Sequence, residues 1–177
     1  MSPAGREADQ AAGREADRAG KSTTLTHLDD CGAARMVDVT DKPVSARTAR
    51  ATGFVEVSAA VVALLRGEGM PKGDALSVAR IAGILGAKKT SELIPLCHPI
   101  GISGVRVELA VEDRGVSISV LVKTADRTGV EMEALTAVAV AGLTVIDMVK
   151  AVDPGAVLTA VRVESKGGGV SGDWSRE

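Results

Sequence analysis

Two stretches of alternating residues, GVRVELAVED at Gly104–Asp113 and GVSISVLVKTAD at Gly115–Asp126, follow each other almost without interruption. Nearly every second residue in them is aliphatic, which is the period of a β-strand that buries one face. The connection around Arg114 and Gly115 has the residue types of a tight turn. The pair therefore predicts an antiparallel β-hairpin in the second half of the chain.

Helical patterns stand on both sides of this hairpin. Before it, ALSVARIAGILGAKK at Ala75–Lys89 carries apolar residues all around its axis, so we expect a helix that is buried on most sides. After it, a long helix is predicted from about Val130 to Val152, ended by Pro154 and Gly155. Its uncharged part, 134–146, is shorter than the ~20 residues that cross a bilayer, so this helix should be buried in protein.

Three further strands and a short helix complete the predicted elements. The strands are expected at ARMVDV, TARATGFVEV and AVLTAVRVES, and the helix follows Ser58 and ends at Gly67; the strand ranges are Ala34–Val39, Thr48–Val57 and Ala156–Ser165. From residue 72 onward the order is helix, strand, strand, helix, strand. This order predicts an α+β, ferredoxin-like layered domain, in which helices pack on one face of an antiparallel sheet.

The first 21 residues differ from the rest of the chain. The hexapeptide AGREAD occurs at Ala4–Asp9 and again at Ala12–Asp17, and it offers no large apolar side chain for a core. We therefore expect residues 1–21 to be a disordered or frayed tail, and residues 22–177 to form a single folded α+β domain.

Composition limits the classes of partner and the compartment. The net charge is −2, and the aromatic residues are one Phe and one Trp, so neither a basic field nor a set of stacking platforms for nucleic acid is expected. The same charge argues against binding to an anionic membrane. The chain has two cysteines without the spacing of a disulfide framework, and no secretory pattern is seen near its start. Both observations predict a reducing, cytoplasmic location.

Several short polar motifs interrupt the apolar elements. Lys72 stands before a helix start, where backbone N–H groups favour a phosphate, although ordinary capping explains the same residues. His98 follows Cys97 in a proline-bounded turn, and it is either a structural histidine or a group that transfers protons or contacts substrate. Too few further Cys and His residues are present for a closed zinc site, so no metal is expected.

Charged residues at both ends of the long predicted helix form the remaining candidates. Glu131 and Glu133 stand in its first turn, either as partners of the helix dipole or as substrate groups, and at most one should face a shared pocket. Asp147 and Lys150 are one turn apart near its end, either as a surface ion pair or as a base beside an anion-binding cation. Lys166 precedes three glycines, in a flexible exit or in a loop that approaches phosphate.

The charged residues at the two ends of the predicted long helix are far apart. Glu133 and Asp147 are 14 positions apart, which corresponds to about 21 Å along a helix. One small-molecule site within a single chain cannot easily use both ends. If both groups are functional, a neighbouring subunit of a symmetric oligomer completes the site.

Taken together and in this order, the motifs resemble those of the MoaC family, the cyclic pyranopterin monophosphate synthases. The matching stretches run from Leu25 to Trp174: LTHLDDCGAARMVDVTDKP, KGDALSVARIAGILGAKKTSELIPLCHP, TGVEMEALTAVAVAGLTVIDMVKAV and ESKGGGVSGDW. The tail at residues 1–21 departs from the common family pattern, but it does not touch these motifs.

The resemblance implies a reaction, an assembly and a set of site residues. It implies that (8S)-3′,8-cyclo-7,8-dihydroguanosine 5′-triphosphate is converted to cyclic pyranopterin monophosphate and pyrophosphate, without metal or organic cofactor. It implies a homohexamer, a trimer of dimers with sites at subunit interfaces. The catalytic residues implied are Lys72, His98, Asp147 and Lys150, and the substrate-binding residues are Asp38, Arg47, Leu96, Cys97, His98, Glu131, Met132, Glu133 and Lys166. A ligand-binding regulatory module or an oligomeric scaffold is the non-enzyme alternative, and it would not need these groups to converge.

Overall fold

The computed structural model describes residues 25–67, 74–170 and 172–177. The chain divides into two units, Met1–Val37 and Asp38–Glu177. In the described part of the first unit, Asp29 accepts hydrogen bonds from the backbone N–H groups of Cys31 and Ala33, and Leu28 and Ala34 form an isolated bridge. The expected tail at residues 1–21 and the position of Lys72 lie outside the described residues.

The described residues of the second unit form five strands and four helices. In chain order these are β1 (Ser45–Glu56), α1 (Ala59–Arg66), α2 (Asp74–Lys88), α3 (Thr90–Leu93), β2 (Ile102–Glu112), β3 (Gly115–Asp126), α4 (Glu131–Val149), β4 (Val157–Gly167) and β5 (Trp174–Ser175). The strands form one antiparallel sheet in the order β2-β3-β1-β4-β5. Helices pack on one side of this open sheet, so the fold is the predicted α+β, ferredoxin-like layered one.

The hairpin at the centre of the prediction is confirmed. The strands β2 and β3 pair antiparallel up to Glu112 and Gly115, so the turn consists of Asp113 and Arg114. Gly115 has φ of +152°, a conformation that favours glycine. β3 also pairs with β1 along its whole length, from Ser45 opposite Asp126 to Glu56 opposite Gly115.

The core lies between the sheet and α4. Alternate residues of β1 and β3 are fully buried, including Ala49, Ala51, Val120 and Val122, and they face the helices. By length and composition α4 is apolar enough to cross a membrane, with a mean hydropathy of 1.7, but half of that stretch is buried inside the protein. It packs against β1, β3 and β4, as expected of a core helix.

Two sequence expectations are wrong. Ala34–Val39 is not a strand, because only Ala34 forms a bridge and the Asp38 side chain accepts a hydrogen bond from the Thr40 backbone N–H, which favours a turn. The second helix is not buried on most sides, because α2 faces α4 and β2 through small residues such as Ala79. Its larger aliphatic side chains, Val78, Ile81 and Leu85, are exposed in the single chain.

Candidate active site

A small polar cavity of about 160 Å³ opens where the ends of β1, β3 and β4 meet the start of α4. We call it the basic cavity. Its lining residues are Lys42, Arg47, Thr48, Arg127, Thr128, Gly129, Glu131, Lys166, Gly167 and Gly168. Antiparallel pairing creates this meeting point, because Ser45 lies opposite Asp126 and Thr48 lies opposite Gly167.

Arg47 is the buried member of the basic cavity. It is 9 % exposed, and its guanidinium donates hydrogen bonds of 3.0 Å to the backbone carbonyls of Asp126 and Arg127. Arg127 in turn donates from Nε to the carbonyl of Lys42, also at 3.0 Å. Each of the two arginines is therefore hydrogen-bonded to the backbone of a neighbouring segment, which holds its guanidinium in place.

Lys166 and Glu131 form the ion pair of the basic cavity. The Lys166 Nζ lies 3.1 Å from Glu131 Oε1, and both side chains are about one third exposed. Four cationic side chains and one carboxylate thus line the cavity. This balance of charge suits an anion with several oxygens, such as a phosphate chain.

The glycines after Lys166 lie against the buried arginine. Gly168 and Gly169 have φ of +87° and +76°, in the left-handed region. A side chain at Gly168 would collide with the Ala46 carbonyl, and one at Gly169 would occupy the place of the Arg47 guanidinium. The Gly168 N–H already donates to Asp173 Oδ1 at 2.9 Å. Close packing on Arg47 is thus a sufficient reason for both glycines.

A second group of titratable side chains lies around the turn at Cys97. We call Asp38, Cys97, His98 and Glu133 the Cys97 cluster. Burial raises the pKa of Glu133 to about 7, against a hydrogen bond from its own backbone N–H and with help from the nearby charge of Glu131. Burial also raises the pKa of the Cys97 thiol, and the charge of Glu133 adds to the rise.

The remaining members of the Cys97 cluster are linked by charge. Hydrogen bonds from the Thr40 hydroxyl and backbone N–H hold the pKa of the Asp38 carboxyl below its usual value, and the charge of His98 acts in the same direction. Leu96, Cys97 and His98 are half-buried, and Met132 is exposed. Among the described residues, no three His, Cys, Asp or Glu side chains come together as they would to hold a metal ion.

The two glutamates of the first turn of α4 have different neighbours. Glu131 pairs with Lys166 in the basic cavity, whereas Glu133 is buried and influences Cys97. The prediction that two carboxylates two residues apart point in different directions is therefore confirmed for this pair.

Asp147 and Lys150 lie at the opposite end of α4. Lys150 Nζ donates to Asp147 Oδ1 at 2.6 Å, and this bond raises the pKa of the lysine. The two side chains are 68 % and 65 % exposed. They are neighbours on one face, as their spacing predicts, but the chain does not bring them to the basic cavity: some 21 Å of helix separates Glu133 from Asp147.

Sequence reasoning identified Arg47, Glu131 and Lys166 but missed four polar lining residues of the basic cavity. These are Lys42, Thr48, Arg127 and Thr128. Their only sequence signal is position: basic and hydroxyl residues stand just before the first strand, within it, and between the hairpin and the long helix. Such a signal is weak, since solvated loops have the same composition.

Comparison with known proteins agrees with this arrangement of motifs. The family model of MoaC matches residues 36–169. Proteins named cyclic pyranopterin monophosphate synthase from Streptomyces avermitilis and Streptomyces coelicolor are 72% and 69% identical over 152 residues, which cover 86% of this chain and 89% of each relative. A Mycobacterium tuberculosis protein named cyclic pyranopterin monophosphate synthase 2 is 54% identical over 156 residues, 88% of this chain and 93% of its own. The chain belongs to the MoaC family.

Proposed function

We propose that this chain is a cyclic pyranopterin monophosphate synthase, a lyase of molybdenum cofactor biosynthesis. It converts (8S)-3′,8-cyclo-7,8-dihydroguanosine 5′-triphosphate to cyclic pyranopterin monophosphate and pyrophosphate. The observation that carries the proposal is the basic cavity, where Arg47, Glu131 and Lys166 meet although they are far apart in sequence. The name shared by the relatives supports the reaction.

The basic cavity holds the phosphate chain of the substrate. Lys42, Arg47, Arg127 and Lys166 supply positive charge on a protein whose net charge is −2, so attraction to the anion is local. Glu131 pairs with Lys166, and phosphate oxygens that approach the lysine replace part of this interaction. Arginine forks and lysine charges are the usual partners of phosphate oxygens.

The Cys97 cluster contacts the ring system and transfers protons. Glu133, with a pKa of about 7, exchanges a proton near neutral pH, which is what opening a purine-derived ring and rebuilding it as a pterin requires. His98 is a second proton-transfer group, and its charge helps to lower the pKa of the Asp38 carboxyl. Leu96, Cys97 and Met132 line the same binding region.

Asp147 acts as a base and Lys150 as a cation at a site completed by a second subunit. The observation behind this assignment is the length of α4, whose two ends carry the two groups of functional residues. Lys72 joins these residues as a further cation. The assembly is a homohexamer, a trimer of dimers in the cytoplasm, and it requires neither metal nor organic cofactor.

The last chemical step closes the cyclic phosphate. A sugar hydroxyl attacks the α-phosphorus, so a new O–P bond forms as the bond from the α-phosphorus to the pyrophosphate oxygen breaks. The hydroxyl proton passes to a general base, and the leaving pyrophosphate keeps the electron pair. Cations around the phosphates stabilise the charge that develops on the leaving oxygen.

The test is turnover of the cyclic dihydro-GTP substrate by the full chain. Mass spectrometry should detect cyclic pyranopterin monophosphate, and a coupled assay should detect one pyrophosphate per product molecule. GTP in place of the cyclic substrate is the control, and it should yield neither product. Binding of the cyclic substrate without release of pyrophosphate would instead support the non-enzyme alternative of a ligand-binding module.

A further inference from the structure

The segment between β4 and β5 carries the lysine of the basic cavity at its first end. Lys166 pairs with Trp174 across the two strands, so the residues between them form the loop of a hairpin. Lys166 and Gly167 end β4 and pair with Ala49 and Thr48 of β1, so the sheet holds the lysine. Gly168, the first residue beyond the strand, lines the basic cavity, and Gly169 lies on the Arg47 guanidinium. The position of the loop therefore decides the packing around Arg47.

One side chain of the loop holds its backbone. Asp173 Oδ1 accepts the Gly168 N–H at 2.9 Å, across five positions. The Gly172 N–H donates to the Gly169 carbonyl at 3.3 Å, which closes the turn on the other side. Gly168, Gly169 and Gly172 have left-handed backbone conformations, which glycine adopts easily. Because glycine also adopts many other conformations, these three residues do not by themselves fix the course of the loop.

The carboxylate of Asp173 is also badly placed to bind an anion. It approaches Gly167 on the edge of the cavity, and the Asp173 side chain is exposed. A negative charge beside a phosphate chain opposes binding. Any favourable effect of Asp173 on anion binding therefore comes from its hydrogen bond to the Gly168 backbone.

We infer that Asp173 is a positioning residue for the basic cavity: by accepting the Gly168 N–H, it selects the loop path that packs Gly168 and Gly169 against Arg47. The inference rests on the proposed function for its kinetic readout. It assigns to Asp173 no contact with the substrate and no proton transfer.

The two substitutions Asp173→Ala and Asp173→Asn separate this role from others. Alanine removes the acceptor, whereas asparagine keeps a side-chain carbonyl at the same place and removes the charge. In the alanine variant we expect KM to rise about tenfold, kcat to change less than about threefold, and the melting temperature to stay within a few degrees. The asparagine variant should keep KM within about threefold of the original value.

A measurement without turnover separates this inference from the proposed function. Inorganic pyrophosphate, titrated calorimetrically into the full chain, should bind about tenfold more weakly to Asp173→Ala and nearly normally to Asp173→Asn. Asp113→Ala, which removes an exposed carboxylate at the other end of the sheet, is the matched control for net charge and should bind as the original chain does. If the original chain binds pyrophosphate but turns nothing over, the proposed function fails and this comparison still applies.

Two results would overturn the inference. Equal loss of pyrophosphate affinity in the alanine and asparagine variants would mean that the charge, not the acceptor, matters. Unchanged affinity and KM in Asp173→Ala would mean that the loop keeps its path without this hydrogen bond.

Discussion

The ammonium group of Lys166 lies 3.1 Å from the carboxylate of Glu131, and the two residues come from the end of the fourth strand and the start of the long helix. Each side chain is about one third exposed, so water reaches the pair. An ion pair that is accessible to solvent adds little to stability. Its effect is instead on the charge that the basic cavity offers to a ligand.

Substitutions of the two partners should change anion affinity in opposite directions. Lys166→Ala should weaken binding of inorganic pyrophosphate about tenfold, because a charge-assisted contact is lost. Glu131→Gln should tighten it, because a negative charge leaves the cavity while the lysine remains. Calorimetric titration of both variants measures the effect. Weakened binding in both would show that the pair acts by holding the structure.

The loop glycines allow a matched comparison of packing and strain. Gly169→Ala should displace the Arg47 guanidinium and weaken pyrophosphate binding several-fold, because the new methyl group needs the same space. Gly172→Ala is the control: it has a similar positive φ of +66° but open space around it, so it bears the strain alone, about 1 kcal/mol. Gly169→Ala should lose more stability than Gly172→Ala, because it also disturbs the hydrogen bonds of the buried Arg47 guanidinium. Equal affinities for pyrophosphate would contradict the proposed contact with Arg47.

Glu133 should make stability fall as the pH rises. Its pKa in the folded chain is about 7, above the 4.5 that is usual for a glutamate, so the folded state holds its proton more tightly than the unfolded state. The contribution is fully present below pH ~4.5, is lost progressively up to pH ~7, and amounts to at most about 3 kcal/mol. Glu133→Gln should remove this slope, and its advantage over the original chain should be largest at pH 8.

Denaturant unfolding from pH 4.5 to 8.5 measures this effect. Glu108→Gln, which changes an exposed glutamate on the second strand, is the control and should leave the slope unchanged. Parallel profiles for the original chain and Glu133→Gln would mean that the buried carboxylate does not titrate in this range.

Asp147→Asn should lower turnover by about 10²-fold or more while changing stability by less than about 1 kcal/mol, because the pair with Lys150 is exposed. Lys150→Ala should weaken substrate binding as well as turnover, because a phosphate loses its counter-charge. The turnover rates and substrate affinities of both variants distinguish a catalytic base from a surface ion-pair partner. Near-normal turnover in a stable Asp147→Asn variant would leave this residue as a surface ion-pair partner only.

Two inactive variants should restore each other. If each site takes Lys166 from one subunit and Asp147 from another, mixing Lys166→Ala with Asp147→Asn chains creates some sites with neither change. Co-expression of the two, followed by purification of mixed oligomers, should recover on the order of a quarter of the original activity. Mixtures that are no more active than their components would indicate that one chain contains the whole site.

The sheet and the long helix could be predicted because their signals are local. The alternation in Gly104–Asp126 and the apolar run after Glu131 each report which face is buried, and a turn of two residues leaves little choice of pairing. The start of the long helix was predicted within one residue, at Val130, and its end three residues too late. The C-terminal end of a helix is harder to predict, because the carbonyl groups of its last turn have no partners within the helix.

The basic cavity could be predicted only in part, since it depends on contacts between distant segments. Lys166 was identified by its motif and Arg47 only through the family resemblance, whereas Lys42 and Arg127 belong to the cavity because the first and third strands end side by side. The periodicity of the sequence does not predict the register in which these two strands pair. The same reason explains why the three aliphatic side chains of the second helix were expected to be buried: composition does not say which side of a helix remains without a neighbour.

The second helix exposes Val78, Ile81 and Leu85 to solvent, at intervals of three and four residues along one face. Burying such an aliphatic stripe is favourable, and in the proposed oligomer the surface that would bury it belongs to another copy of the chain. Dilution then works against the folded chain, and the melting temperature should rise with protein concentration. Assays at nanomolar enzyme would therefore underestimate the rate per chain that the same protein reaches at the concentrations used for calorimetry.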